Sequence, residues 1–553
     1  MPSWVVVDNF SSLRAELGRL ATLAIPEFGG TAVVVNERVL EPRHEVFYDT
    51  ADLRILRGAI VVVERVVGVT HEISIESTSG VRFASAHAPS SVDHRAAQDR
   101  ASPESWWHAD ADFATTLRTL LGPRALERWI ATEERGVELT LRRGTRIEAS
   151  LRLNSIETRA APNAPLVALR TVEISDGEGE LARRALELPA QLGLQPVSVS
   201  LFELALAAHG LAAAPAIDMG ASTIDAKCSV GALAFASLRS NWRRCLRHEA
   251  GTRLGIDAEE LHDQRVAVRR VRAALKLFGE VLPRRARQLC RELGWLGRVL
   301  GEVRDFDVQI AELKNWETTL VAAEREALAA VQTDLDRRRR RARRRLLRVL
   351  DSGRYERLLV RVERFCAAGP PRRNSAALRA ARIVAPTLLA KCERRVRKRG
   401  RRLDSSAPAT EWHELRKQAR TFRYALEFFA PLFGNSLTQL VTALVALQDL
   451  LGAHQDAEVA ESRLRVWIAQ PRRRLPAATA FVIGRLCERY SRAAARERAK
   501  FESTFARVIG KRWKKLQKAM AARVLASGRA AAPAKSTTRS AHVSARGQSR
   551  RPN

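Results

Sequence analysis

The chain has 553 residues, room for two or three domains with cores of their own, and a formal net charge of +33 at pH 7. Lysine is absent before Lys227 and acidic residues outnumber Arg up to Gly210, so the positive excess lies entirely beyond that point and implies an ordinary domain joined to a polyanion-binding one. The six Cys lack any CxxC or metal-ligand spacing, no apolar run nears the ~18 residues of a membrane span, and MPSWVVVDNF lacks a secretory signal's basic and apolar regions, so we expect a cytoplasmic protein without disulfides, zinc or a membrane partner.

Short β-branched runs separated by polar breaks fill residues 1–210. Trp4 to Val7, Ala32 to Val35, Ala59 to Val67, His71 to Ile75, Val137 to Leu141, Arg146 to Leu153 and Leu166 to Ile174 read as strands. Leu13 to Ala24 and Leu181 to Leu194 read as helices, and the Ser/Ala/Asp-rich stretch from Ser77 to Pro103 as a long exposed loop. So many strands with so few helices imply a closed or strongly curved antiparallel sheet. The segment FYDTADLRILRGAIVVVERV, Phe47 to Val66, resembles the YxDTxxxxLxxxxxxLRxR signature of the CYTH family, the triphosphate tunnel fold, with Phe47 in place of the Tyr. The resemblance extends to Leu166 to Leu206, with Glu173 in the acidic strand. It implies an antiparallel β tunnel whose first strand carries an ExExK set for divalent metal and phosphate. Here that strand reads SWVVVD, and no lysine is available. Arg65, Arg142, Arg143 and Arg170 are the remaining positive charges, with solvated or paired surface charges as the plainer reading. The domain is therefore expected to be degenerate and without catalytic residues, so that Mg²⁺ or Mn²⁺ is a cofactor only if it retains activity.

Leu211 to Thr223, LAAAPAIDMGAST, is Ala/Pro-rich without periodicity and reads as a linker. Helical periodicity then runs to about Leu525, and residues 526–553 form an Ala/Ser/Arg-rich tail expected to be disordered. Within the helical part, His262 to Lys276 reads HDQRVAVRRVRAALK. At about 100° per residue, His262, Arg265, Arg269, Arg272 and Lys276 fall on one stripe, opposite Val268, Val271, Ala274, Leu275 and Phe278. HELRKQARTFRYALE, from His413 to Glu427, repeats the pattern 151 residues later, with His413, Arg416, Arg420 and Arg423 on the stripe. The register holds downstream, where LGEVRDFDV at Leu300 to Val308 stands over LGAHQDAEV at Leu451 to Val459. A duplicated helical unit is implied, with both basic stripes turned away from the cores and available to line a shared surface. The runs DRRRRRARRRLLRVL, ending at Leu350, and KCERRVRKRGRR, Lys391 to Arg402, add like charges at i,i+4 that repel one another unless an anionic partner relieves them.

These repeated segments resemble the CHAD family, the conserved-histidine α-helical domain, over roughly Ile224 to Trp513. The fold thus expected is α+β and multidomain: a CYTH-like domain at 1–210, a linker at 211–223, a helical domain of duplicated halves at 224–525 and a basic tail at 526–553. The resemblance implies non-catalytic binding of inorganic polyphosphate. Carried over by position, its ligands are His262, Arg265, Arg269, Arg272 and Lys276, with His413, Arg416, Lys417, Arg420 and Arg423. Glu427 departs by placing an acid where the first copy has Lys276.

The chemistry agrees, because guanidinium pairs with phosphate oxygens and a rigid helix spaces its donors for a repeating ligand. Each His either meets the anion or merely caps and packs its helix. Asp305 and Asp456, followed by Asp307 and Glu458, either bridge a divalent ion to phosphate or, as we expect, hold ridge arginines in place. Polyphosphate granules are the expected location. Two alternatives remain: nucleic-acid binding, with the basic tail as a contact, and a residual Mg²⁺- or Mn²⁺-dependent triphosphatase at 1–210 that needs Glu173.

Overall fold

In the computed structural model the described residues are 3–6, 33–87, 110–143, 145–161, 164–174, 196–197, 199–211, 217–404, 406–469 and 476–530, with 183, 185 and 187. The helix expected at Leu13 to Ala24, most of that at Leu181 to Leu194, the middle of the linker and the tail from residue 531 lie outside them.

The N-terminal part is an antiparallel sheet of ten strands. They are β1 (Ser3–Val6), β2 (Val33–Val39), β3 (Arg43–Asp49), β4 (Ile60–Val67), β5 (Thr70–Ser77), β6 (Arg82–His87), β7 (Glu127–Arg143), β8 (Arg146–Arg159), β9 (Val167–Ile174) and β10 (Pro196–Val197). Their order is β10-β1-β9-β8-β7-β3-β4-β5-β6, with β2 joined to β7 off this path. The long β7 serves both: its first part pairs with β3 and its last part with β2.

The run IVVV at the start of β4 does not alternate in polarity because both sheet faces are covered there. Val62 packs with Tyr48, Ile73 and Phe113 on one face, and Val61 and Val63 pack with Phe47, Ile130 and Phe202 on the other. Phe113 belongs to α2 (Ala111–Leu121), started by Asp110, whose carboxylate accepts from the Phe113 N–H at 2.6 Å. Phe202 belongs to α3 (Leu201–Ala208), which opens with a capping box between Ser200 and Glu203.

The loop expected from Ser77 begins instead with a hairpin. Ser77 N–H bonds the Val81 carbonyl at 2.7 Å, Gly80 turns with φ 88°, and β6 follows. The Ser/Ala/Asp-rich stretch read as a loop therefore opens with a turn and a strand, and its remainder, 88–103, lies outside the described residues.

Between β3 and β4, Asp49 accepts backbone N–H bonds from Thr50, Ile55 and Leu56, which winds the short α1 (Arg54–Arg57). Arg54 then donates to Asp52 at 3.1 Å, Glu249 at 3.2 Å and Glu356 at 3.4 Å. Glu249 also accepts from Tyr355 at 2.9 Å and Arg253 at 3.1 Å, and Arg253 reaches Asp351 at 2.7 Å and the Leu350 carbonyl at 2.9 Å. Glu249 and Arg253 are each only 1% exposed. The Asp49–Thr50 segment is thus part of a clasp between the sheet and the helices that follow.

Those helices are α4 (Val230–Arg247), α5 (Glu249–Leu254), α6 (Ala258–Leu277), α7 (Ala286–Glu317), α8 (Ala322–Leu350), α9 (Gly353–Ala367), α10 (Ser375–Leu378), α11 (Ala381–Gly400), α12 (Ala409–Phe433), α13 (Thr438–Ile468), α14 (Ala477–Ile509) and α15 (Lys511–Ala530). The described residues divide into two compact units: those within 1–223, 234–371 and 476–483 form one, and those within 224–233, 372–469 and 484–530 the other. The sheet and the first helical repeat thus share a unit, and the second repeat has its own core, in which Trp412 meets Phe501 edge-on at 4.9 Å and Phe422 meets Trp513 at 5.7 Å. None of the described helices is long and apolar enough to cross a membrane.

At the end of α5, Gly255 takes φ 65°, and Arg343 of α8 donates to the carbonyls of Thr252, Arg253 and Leu254. A Cβ on Gly255 would stand 2.1 Å from the Arg343 Nη1. Gly255→Ala therefore combines left-handed strain with loss of that cap. We expect it to destabilise the protein by about 2 kcal/mol in urea unfolding, and a change within about 0.5 kcal/mol would refute the account.

Candidate polyanion-binding site

Helix α6 is opened by Asp257, which accepts from the Glu259 N–H at 2.8 Å. Its apolar side is as expected: Val268, Val271, Ala274, Leu275 and Phe278 are all buried. The basic side differs from the expectation of an open ridge. Lys276 is exposed, but His262, Arg265, Arg269 and Arg272 are half-buried. The cause lies on α7, where Gly294, Gly297 and Gly301 leave a furrow. A Cβ at Gly294 would lie 3.1 Å from Arg272 Nη2, and one at Gly301 would lie 3.3 Å from Arg265 Nε. Arginine stems lie where α7 has no side chains, and Arg265 ends 3.6 Å from Asp305.

The second copy repeats this in its own unit. Arg416 of α12 lies over Gly452 of α13, with Nη2 3.3 Å from where a Cβ would be, and ends 3.8 Å from Asp456. Arg416, Arg420 and Arg423 are half-buried, whereas Lys417 is exposed and bonds Glu414 at 2.6 Å. Glu427 lies 3.5 Å from Arg423, so the departure from the pattern supplies a carboxylate to the last arginine of the stripe. Each aspartate thus lies within ion-pair distance of a stripe arginine. Their followers are also paired, Asp307 with Arg339 and Glu458 with Arg498 at 3.0 Å.

The two histidines have different neighbours. His413 Nδ1 is 2.9 Å from Gln455 Oε1, while Nδ1 of His262 is buried without a partner. Burial, then the charge of Arg304, holds His262 below the usual imidazole range, and burial, then Lys417, does the same for His413. Arg304 and Gln455 occupy equivalent places, 151 residues apart. Sequence reading missed these neighbours and the role of the glycines, although the repeated LG pair marked Gly301 and Gly452.

The long basic runs are partly spoken for. On α8, Arg337 and Arg338 pair with Asp334, Arg339 with Asp307, Arg345 with Glu302, and Arg343 caps α5. Arg340, Arg341, Arg344 and Arg348 are exposed. On α11, Arg397 pairs with Glu393 at 3.0 Å and Arg399 with Glu411 at 2.7 Å, while Lys391, Arg394, Arg395 and Lys398 are exposed.

In the sheet, Arg65 donates to Glu45 at 2.6 Å, Glu76 at 3.0 Å and Glu72 at 3.4 Å. Glu173 lies 4.0 Å from Arg152, which bonds Glu138 at 3.1 Å; Arg170 is exposed, Arg142 is half-buried, and the Arg143 side chain lies outside the described residues. Glu45, Glu72 and Glu76 thus share one guanidinium, and no metal-type cluster of three occurs among the described residues.

Residues 236–465 match the family model for the CHAD domain, and the chain carries a CHAD domain there. The N-terminal antiparallel sheet is consistent with a CYTH-like fold. Among solved structures, the chain is similar to the CHAD domain from the plant Ricinus communis, at 28% identity and a TM-score of 0.44, covering 52% of this chain and 95% of that one. It is also similar to PptA from Streptomyces chartreusis, at 21% identity and a TM-score of 0.43, covering 50% of this chain and 99% of that one. No curated protein matches it.

Proposed function

We propose that the CHAD domain binds inorganic polyphosphate, without catalysis, through the basic stripes of α6 and α12, and that the protein resides where that polymer accumulates, in granules. The observation that carries this is the duplicated arginine set over glycine and anchored by aspartate, Arg265 with Asp305 and Arg416 with Asp456. A guanidinium has five N–H donors and one carboxylate takes at most a pair, so an anchored arginine still offers donors to phosphate. The stripes favour an inorganic polymer over a nucleic acid because they offer little for a base to stack on. Helix α6 has no Phe, Trp or Tyr, and Trp412, Phe422, Phe428 and Phe429 of α12 are buried.

Competition tests the reading. Labelled long-chain polyphosphate bound at moderate salt should be displaced by unlabelled polyphosphate far better than by DNA or RNA at equal phosphate concentration. Equal displacement would transfer the stripes to nucleic-acid binding.

The histidines add a pH dependence. Both are held below the usual imidazole range, so they are largely neutral at pH 7, and bound phosphate would draw protons onto them. Affinity for polyphosphate should rise as pH falls from about 7 to about 6, and His262→Asn with His413→Asn should flatten the profile. Without ligand the sign reverses: the unfolded chain binds protons first, so stability falls as pH drops through about 6.5. A profile unchanged in the double variant would assign both residues to packing.

A further inference from the structure

Helices α7 and α8 and the start of α9 line a shallow depression of about 400 Å³ that no residue of α6 lines. Trp295 and Val349 are its apolar surface, and Arg345, Arg348, Arg354 and Ser352 complete it. The Arg354 guanidinium lies 4.1 Å above the Trp295 ring and is fixed there by two bonds to Glu292, at 2.9 and 3.1 Å. Arg345 is held by Glu302 at 3.1 Å, and Arg348 is exposed. Ser352 caps α9, a helix of 15 residues whose first-turn amides favour an anion. Three arginines face two carboxylates here, and Arg291 and Arg361 add positive charge around Glu292.

This arrangement differs in kind from the two stripes, because it joins an indole and a fixed guanidinium plane to further arginines. Polyphosphate has no planar group and gains nothing from Trp295. A nucleoside phosphate uses both parts, its base stacking on the indole or guanidinium and its phosphate meeting arginine. The volume is at the low end of small-ligand pockets, about 300–1,000 Å³, which suits one nucleotide.

We propose that this depression binds a nucleoside phosphate, with the base at Trp295 and Arg354 and the phosphate at Arg345 and Arg348. The site is independent of the polyphosphate reading. The ligand is either a free nucleotide or one nucleotide of a single strand.

Calorimetric titration of the full chain with AMP tests it. AMP should bind about tenfold more tightly than adenosine or inorganic phosphate alone, and Trp295→Ala and Arg348→Glu should each weaken AMP about tenfold while leaving long-chain polyphosphate affinity unchanged. Arg348 is exposed, so its variant keeps the test valid if Trp295→Ala fails to fold. An oligodeoxyadenylate of six residues that binds more tightly than AMP identifies a single strand as the ligand, and equal or weaker binding identifies the free nucleotide. The proposal is overturned if AMP does not bind, if Arg348→Glu leaves its affinity unchanged, or if tripolyphosphate displaces it as well as AMP itself does.

Discussion

Replacing Glu249 by alanine should lower the free energy of unfolding by about 3–5 kcal/mol, the cost typical of stranding one partner of a buried ion pair. Glu249 accepts from Arg54, Arg253 and Tyr355, and Arg253 is itself 1% exposed, so bulk solvent offers its guanidinium little compensation. Burial pushes this carboxyl up, and Arg54 and then Arg253 more than offset it, holding it below the usual carboxylate range. The sign follows: this contribution is present above the ordinary glutamate value of about 4.3 and is lost as pH falls through the lower folded value. Urea unfolding followed by circular dichroism measures the effect, with Glu292→Ala on the exposed Arg354 pair as a control expected to cost less than about 1 kcal/mol. Equal losses for the two variants would show that the clasp is as solvated as a surface pair.

Reversing one charge in each stripe, Arg269→Glu with Arg420→Glu, should weaken polyphosphate binding about 100-fold. Two charge-assisted contacts at about 1.5 kcal/mol each give that factor before repulsion is added. Both positions are half-buried, so folding is checked by thermal melting beside the binding measurement. The plot of log affinity against log salt should also become shallower, because fewer counterions are exchanged. Wild-type affinity and slope in a folded double variant would remove α6 and α12 from the site. Exposed positions on the long basic helices, such as Arg340 and Lys398, would then be the next candidates.

The strands β4, β5, β8 and β9 were legible because β-branched runs bounded by turn residues are a local signal. β3 escaped the strand reading although FYDT lies within and just after it, because its RHEVFYD mixes charged and apolar residues and lacks the β-branched run that marks β4. β6 escaped because its Ser/Ala content masks the alternation. The apolar sides of α6 and α12 were legible from spacing alone, and so was the duplication.

By itself the sequence determined a strand-rich part followed by a helical one, the repeat of 151 residues, the concentration of positive charge beyond Gly210 and which residues share a helix side. Tertiary structure alone decided what stands opposite that side. The glycine furrow of α7 draws the arginines into half-burial, and the clasp joins Arg54 to Glu249 across 195 residues. Periodicity fixes a side chain's angle about its own helix axis. It carries no information about the neighbouring element, whose shape and charge determine whether that side chain is solvated, anchored or offered to a ligand.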